Sequence, residues 1–317
     1  MNSIGFREGL LWAVLRKGVA RLACGAAIAS AIGLAGLTSS AAQTDGSKIA
    51  AALGKPGAEM PGGVYRVGLP RTDLHVMLDG IELKPGFALG SWLAFRTDGN
   101  ATMVMGDLVL TEPEIAPVMT KLTESGIEIT ALHNHLLRAQ PPTFYMHILG
   151  HGDAVTLATA LHDGLALSRT PLGDSGIGAA AGAAPPIDLD TAMIDSTLGA
   201  KGRVVGGVYQ FGIPRAKTIK DGGMEVPAAM GSAEAINFQP TGNGKAAITG
   251  DFVLTAAEVN PVLYTLRQNG IEVTALHNHM LDDQPRLFFM HFWANDDAQK
   301  LAKGLRAAFD KMNLAKS

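Results

Sequence analysis

Six of the nine histidines in this chain fall into two copies of one pattern. His133-Asn134-His135 is followed by His147, and His277-Asn278-His279 by His291, so that each copy is a His-x-His with a third histidine twelve residues on. On a strand, residues two apart share a face, so the alternation from Ile127 to His135 predicts Ile127, Ile129, Ala131, His133 and His135 on one side. Glu128, Thr130 and Asn134 then take the other. A turn at Gln140-Pro141-Pro142, or Gln284-Pro285-Arg286, leads into a second apolar run, Phe144 to Leu149 or Phe288 to Trp293, which carries the third histidine. A hairpin built this way brings three imidazoles together. Three nitrogens with a fourth position left open is the common arrangement of a catalytic or exchangeable zinc site. Without a ligand, the ring nitrogens buried on an apolar face would each need a partner or cost about 1 to 3 kcal/mol.

All-nitrogen ligation suits a divalent metal, with zinc the first expectation and Cu, Fe or Ni left open. A fourth protein ligand, or the acid or base of a reaction, has four candidates present in both copies: Glu82 and Glu225, and Asp107 and Asp251. Arg71 and Arg215, each after a proline, are the candidates for holding an anionic substrate through a bidentate pair. His75 and His151 occur in the first copy only and read as surface residues. Glu114 and Glu258 stand three residues after Thr111 and Thr255, the spacing of a helix capping box. Glu128 and Glu272 point away from the histidines, toward solvent. No phosphate-binding glycine loop, Gly-x-Ser-x-Gly elbow or His-Glu-x-x-His helix is present, which argues against nucleotide enzymes, serine hydrolases and zincin proteases.

The elements that must position these residues are themselves duplicated. Gly63-Val64-Tyr65 recurs as Gly207-Val208-Tyr209, Pro70-Arg71 as Pro214-Arg215, and Gly106-Asp107 as Gly250-Asp251, all 144 residues apart. Gly126 to His147 and Gly270 to His291 agree at 15 of 22 positions, so the histidine segment is what the copies keep in common. A first repeat domain spans 44–172, a Gly/Ala/Pro-rich linker 173–186, and a second repeat domain 187–317. Each repeat reads as a short helix ending near Gly54 or Gly199, then strands, a capped helix stopped at Gly126 or Gly270, the histidine hairpin, and a last helix from Asp153 or Asp296. The expected fold class is α+β, a tandem duplication of one domain with a mainly antiparallel sheet and helices packed on it.

Residues 1–42 read as a signal peptide. Arg7, Arg16, Lys17 and Arg21 precede a small apolar run from Ala23 to Leu37, and Ser40-Ala41-Ala42 supplies the small residues of a cleavage site. That run is too short for a spanning helix, so a periplasmic or secreted chain with no stable membrane insertion after cleavage is expected. The single cysteine, Cys24, lies inside this segment, and Arg21 stands where a lipobox carries leucine, so lipid anchoring is poorly supported. The mature chain has no thiolate to offer a metal. A net charge of -3 over 317 residues leaves no basic field for nucleic acid.

The paired Ala-Leu-His-Asn-His motif, the Gln-Pro turn and the Phe-x-Met-His strand, in a duplicated exported chain, resemble the LppY/LpqO family of exported bacterial proteins. The resemblance covers nearly all of the mature chain and implies an envelope location; it implies no activity. The hairpin alone is distantly similar to that of acetolactate decarboxylase, where a His-x-His and a histidine on the next strand hold zinc. Three functional readings follow. The first is an exported metal-binding protein with a three-histidine site in each repeat. The second is a zinc-dependent hydrolase or lyase acting on a small polar or anionic substrate. The third is an envelope interaction module whose histidines are packing residues.

Overall fold

The computed structural model describes residues 44–173 and 186–315. The expected signal peptide and all but the ends of the expected linker lie outside the described residues. In the first repeat, α1 (Gly46–Leu53) precedes β1 (Ala58–Met60), β2 (Val64–Pro70), β3 (Gly90–Asp98) and β4 (Ala101–Leu110). Then come α2 (Glu112–Glu124), β5 (Glu128–His133), β6 (Phe144–Gly152) and α3 (Ala154–Leu165). The second repeat runs α4 (Thr191–Leu198), β7 (Arg203–Val205), β8 (Val208–Pro214), β9 (Ala233–Gly242), β10 (Lys245–Thr255), α5 (Ala256–Gln268), β11 (Glu272–His277), β12 (Leu287–Asp297) and α6 (Ala298–Phe309). Two six-stranded antiparallel sheets result, β1-β2-β3-β4-β6-β5 and β7-β8-β9-β10-β12-β11, identical in order. The fold is the expected α+β duplication.

Local chemistry fixes the ends of these elements. Thr111 and Glu114 close a reciprocal capping box at the start of α2, and Thr255 and Glu258 do the same for α5. Gly126 and Gly270 follow the helices at φ of 78° and 75°, a left-handed turn that a side chain would strain. The last helix of the second repeat is capped by Asp297, one residue beyond the expected Asp296, because β12 runs on as far as Asp297.

Each sheet has two buried faces, and they do different jobs. One face packs on its own helices: Val104, Leu108, Met146 and Ile148 against Val118, Leu122, Leu157 and Leu161, with Ile248, Phe252, Met290 and Phe292 the counterparts in the second repeat. The other faces pack sheet on sheet. There, Met103, Met105 and Leu149 of the first repeat share a core with Val253, Leu287 and Phe289 of the second, and Phe87, Val109 and Tyr145 share one with Ala247 and Trp293. The order is therefore helices, sheet, sheet, helices, and the two repeats form one compact unit. Polar bonds cross the same layer. Asn237 Nδ2 donates to the Phe87 carbonyl (2.9 Å), Lys84 Nζ to the Gly207 carbonyl (2.9 Å), and Arg138 pairs with Glu272 (2.7 Å). Among the described residues no helix is long and apolar enough to cross a membrane.

Candidate metal centre

The histidines sit in the layer between the sheets, and a β-bulge puts them there. On β5, Ile129 is opposite Ile148 and Ala131 opposite His147, with Thr130 as the extra residue; on β11, Val273 is opposite Phe292 and Ala275 opposite His291, with Thr274 extra. One extra residue reverses which face each later side chain takes. Ile127 and Ile129 consequently pack on the helices, while His133 faces the other sheet. The expected single face from Ile127 to His135 is corrected at Thr130: strict alternation held only on either side of the bulge. His135 and His279 lie just beyond their strands, in the turn that leads to a cis Gln140-Pro141 or Gln284-Pro285 bond. Asn134 and Asn278 brace that turn by donating to the carbonyls of Thr143 and Leu287.

The two expected three-histidine sites are not separate. Because both hairpins turn their rings into the same layer, the rings meet pairwise across it. His133 lies 3.5 Å from His277, His135 3.6 Å from His291, and His147 3.6 Å from His279, centroid to centroid. Potential ligand atoms come within 4.8 Å of one another in two overlapping groups, His133 with His135 and His147, and His133 with His277, His279 and His291. The second group takes ligands from both repeats. Within it, His277 Nε2 and His279 Nε2 are 2.8 Å apart. Sequence spacing finds each trio, but the pooling depends on sheet-on-sheet packing and has no local signature.

Two of the four carboxylate candidates join the cluster. Asp107 on β4 stands opposite His147 on β6, and its oxygens lie 3.9 Å from the Nε2 atoms of both His147 and His135. Asp251 repeats this at 3.8 Å from His291 and 3.5 Å from His279. Glu82 and Glu225 do not reach the cluster. Glu82 is exposed and bonds His75 at 2.9 Å, and Glu225 is exposed beside Arg96. The small hairpins that carry them lead their side chains to solvent. His75 and His151 are exposed, as expected from their occurrence in one copy.

Arg71 and Arg215 do not reach the cluster either. Arg71 is fully buried, with its Nη1 donating to the Val109 carbonyl (2.6 Å) and Glu114 (2.8 Å), and its Nε and Nη2 to Asp73 (2.9 and 2.8 Å). Arg215 donates to the Val253 carbonyl and, at 2.9 Å, to both oxygens of Glu258. Each arginine thus neutralises the buried capping-box glutamate of its repeat, and none of its partners is a histidine. Those charges hold Glu114 and Glu258 below their ordinary range although burial pushes the other way.

Burial dominates the electrostatics of the cluster. It lowers all six imidazoles, His133 to about 4 and His291 to about 3, so they are neutral at pH 7 with lone pairs available. It pushes Asp107 up to about 8 against the pull of Arg66, and Asp251 well above the carboxylate range. His291 Nδ1 bonds the Gly250 carbonyl at 2.9 Å, and His147 is bonded to Gly106 in the same way. A neutral imidazole has one N–H, and here the backbone takes it, which leaves Nε2 as an acceptor only. Among the described residues, eight buried side-chain atoms of the cluster find no partner: one oxygen each of Asp107 and Asp251, both nitrogens of His133, and one each of His135, His147, His277 and His291. A narrow cleft lined by Trp92, Thr130, Met230 and Met280 reaches His147 and His279.

Comparison with known proteins gives this architecture a family. No curated protein matches the chain. Among solved structures it is similar to the trimeric bacterial microcompartment shell protein PduB, at 12% identity over 82% of this chain and 96% of that one, with a TM-score of 0.21. It is also similar to EtuB from Clostridium kluyveri, at 8% identity over 80% and 88% of the two chains, with a TM-score of 0.18. Likenesses that slight carry no argument about fold or function. The family match follows the duplication, once over 47–167 and again over 192–311, and on that coverage the chain belongs to the family described as Domain of Unknown Function (DUF1259).

Proposed function

We propose that this is a metal-binding protein whose two repeats together build one histidine-rich centre for a divalent first-row metal, zinc being the first expectation. One observation carries the reading. His147 Nε2 and Asp107 Oδ1, and likewise His291 Nε2 and Asp251 Oδ1, are pairs of buried acceptors that face each other at 3.9 and 3.8 Å with no donor of their own. A cation between such groups satisfies both; leaving them unmet costs about 1 to 3 kcal/mol each. A proton on each aspartate, shared with the histidine it faces, would serve four of the eight orphaned atoms and leave the other four, which disfavours histidines that merely pack. The donor set is imidazole nitrogen with flanking carboxylate, which suits zinc, copper, iron or nickel. His133, His135, His147, His277, His279 and His291 would hold the metal, and Asp107 and Asp251 would ligate it or orient the imidazoles beside it.

The cleft at His147 and His279 favours a second reading, a metalloenzyme of the hydrolase or lyase type. In it the metal would polarise a carbonyl or lower the pKa of water, and Asp107, held near neutrality, would be the residue able to exchange a proton. The amino-terminal pattern and the resemblance to the LppY/LpqO family support an exported location. The proposal is tested by loading the stripped protein with Co(II) and recording its visible spectrum. Ligand-field bands that develop in proportion to added metal support the shared centre, and a spectrum that stays that of the hydrated ion contradicts it.

A further inference from the structure

The duplication allows one repeat to serve as the reference for the other. In the first, the Nε and Nη2 edge of Arg71 is closed by the carboxylate of Asp73, two residues along the chain. At the same step after Pro214-Arg215, the second repeat has Lys217. Arg215 keeps the bonds to Val253 and Glu258, yet among the described residues its Nε makes no hydrogen bond, although the residue is only 8% exposed. A second carboxyl approaches from another direction. Glu234 replaces Ser91 as the acceptor for the strand N–H at Val253, the counterpart of Val109. Its other oxygen comes within 3.7 Å of Arg215 Nη1, away from the Nε edge. Arg215 lines a cavity walled by Pro214, Ile219, Val226 and Pro227, with the exposed Lys217 and Glu225 also in its lining.

We propose that this cavity binds a short aliphatic carboxylate, whose anionic end accepts from Arg215 Nε, the donor that Asp73 occupies on Arg71. A guanidinium N–H bonded to a carboxylate oxygen is a charge-assisted bond, about twice as strong as a neutral one. Lys217 adds a second positive charge near the cavity, where the first repeat has a negative one. Pro214, Ile219, Val226 and Pro227 offer an apolar surface to a tail of a few carbons. The site is separate from the histidines and does not depend on a metal.

Butyrate is the probe, titrated against the full chain while the melting temperature and the heat of binding are recorded. A saturable rise in melting temperature with butyrate, absent with the isosteric amide butyramide, is expected. Lys217→Asp restores the arrangement of the first repeat, so it should abolish the butyrate response and melt higher than the parent without ligand. Lys217→Ala should keep the response in weakened form. Position 217 is exposed, so neither variant threatens folding. No saturable response in the parent, a response to butyramide equal to that of butyrate, or an undiminished response in Lys217→Asp would each overturn the proposal. So would a response lost in His277→Ala and kept in Lys217→Asp, which would place the anion on the histidines.

Discussion

His147 Nε2 and Asp107 Oδ1 face each other at 3.9 Å between the two sheets, and neither has a proton to give the other while the aspartate is ionised. The fold creates this confrontation through cross-strand pairing of the two residues, and it does so again with His291 and Asp251. In the metal-free chain, burial resolves it by holding Asp107 protonated up to about pH 8. With a cation present, the carboxylate is free to ionise.

Asp107→Asn separates these two states. The amide supplies a permanent donor toward His147, so the metal-free variant should be as stable as the parent or more so. Loss of the anionic oxygen should weaken metal binding by about 10 to 100-fold. Melting curves with and without chelator, together with a competition titration, read the two effects, which have opposite signs. A variant weakened in both states would show that Asp107 acts only in packing.

Metal retention should depend on pH in a defined direction. Protons compete with a metal for imidazole lone pairs, and burial lowers all six histidines, with His133 at about 4 and His291 at about 3. The folded protein therefore takes up protons on these rings only well below the ordinary imidazole range. Retention should stay complete as pH falls through about 6.5, where exposed histidines protonate, and be lost at lower pH. Dialysis across a pH series followed by metal analysis checks this, and half-release at or above pH 6.5 would contradict it.

The bulge residues give a paired test of the interface. Thr274 Oγ1 donates to the His135 carbonyl of the other repeat at 2.6 Å, whereas Thr130 Oγ1 is buried with no partner among the described residues. Thr274→Ala should cost about 1 kcal/mol, the usual net value of such a bond. Thr130→Ala should be near neutral. Urea unfolding of both variants measures the difference, and equal losses would refute the asymmetry.

Arg71 and Glu114, at the start of the capped helix in the first repeat, belong to stability. Glu114→Gln leaves the fully buried Arg71 with less compensation and should cost about 3 kcal/mol or more, as loss of one partner from a buried pair does. Metal content per folded chain should not change. A variant that kept its stability and lost metal would move Arg71 and Glu114 into the site.

How much of this was legible in the sequence follows the range of the interactions. The duplication, both capping boxes and both histidine trios are local patterns, readable because a few neighbouring residues determine them. Asp107 and Asp251 could be found only as acids common to both copies, and Glu82 and Glu225 met that criterion equally. Their strand pairing to His147 and His291 is what distinguishes the first two. The bulges at Thr130 and Thr274 were hidden because an apolar residue two positions on looks the same whichever face it takes. The pooling of six rings was hidden because it arises between two sheets 144 residues apart in the chain, through contacts such as His133 with His277 that no spacing encodes.

The central claim is that the two repeats share one metal centre, and metal content in single-repeat variants tests it most directly. The protein, purified without a histidine tag, would be assayed by elemental analysis beside His133→Ala and His277→Ala, each checked for folding by circular dichroism. A shared centre predicts stoichiometric metal in the parent and a loss of more than half in each variant, although each alters one repeat only. Loss of half in each, adding to complete loss in the double variant, would mean two independent sites. No metal in the parent, and none taken up on titration at neutral pH, would contradict the account outright.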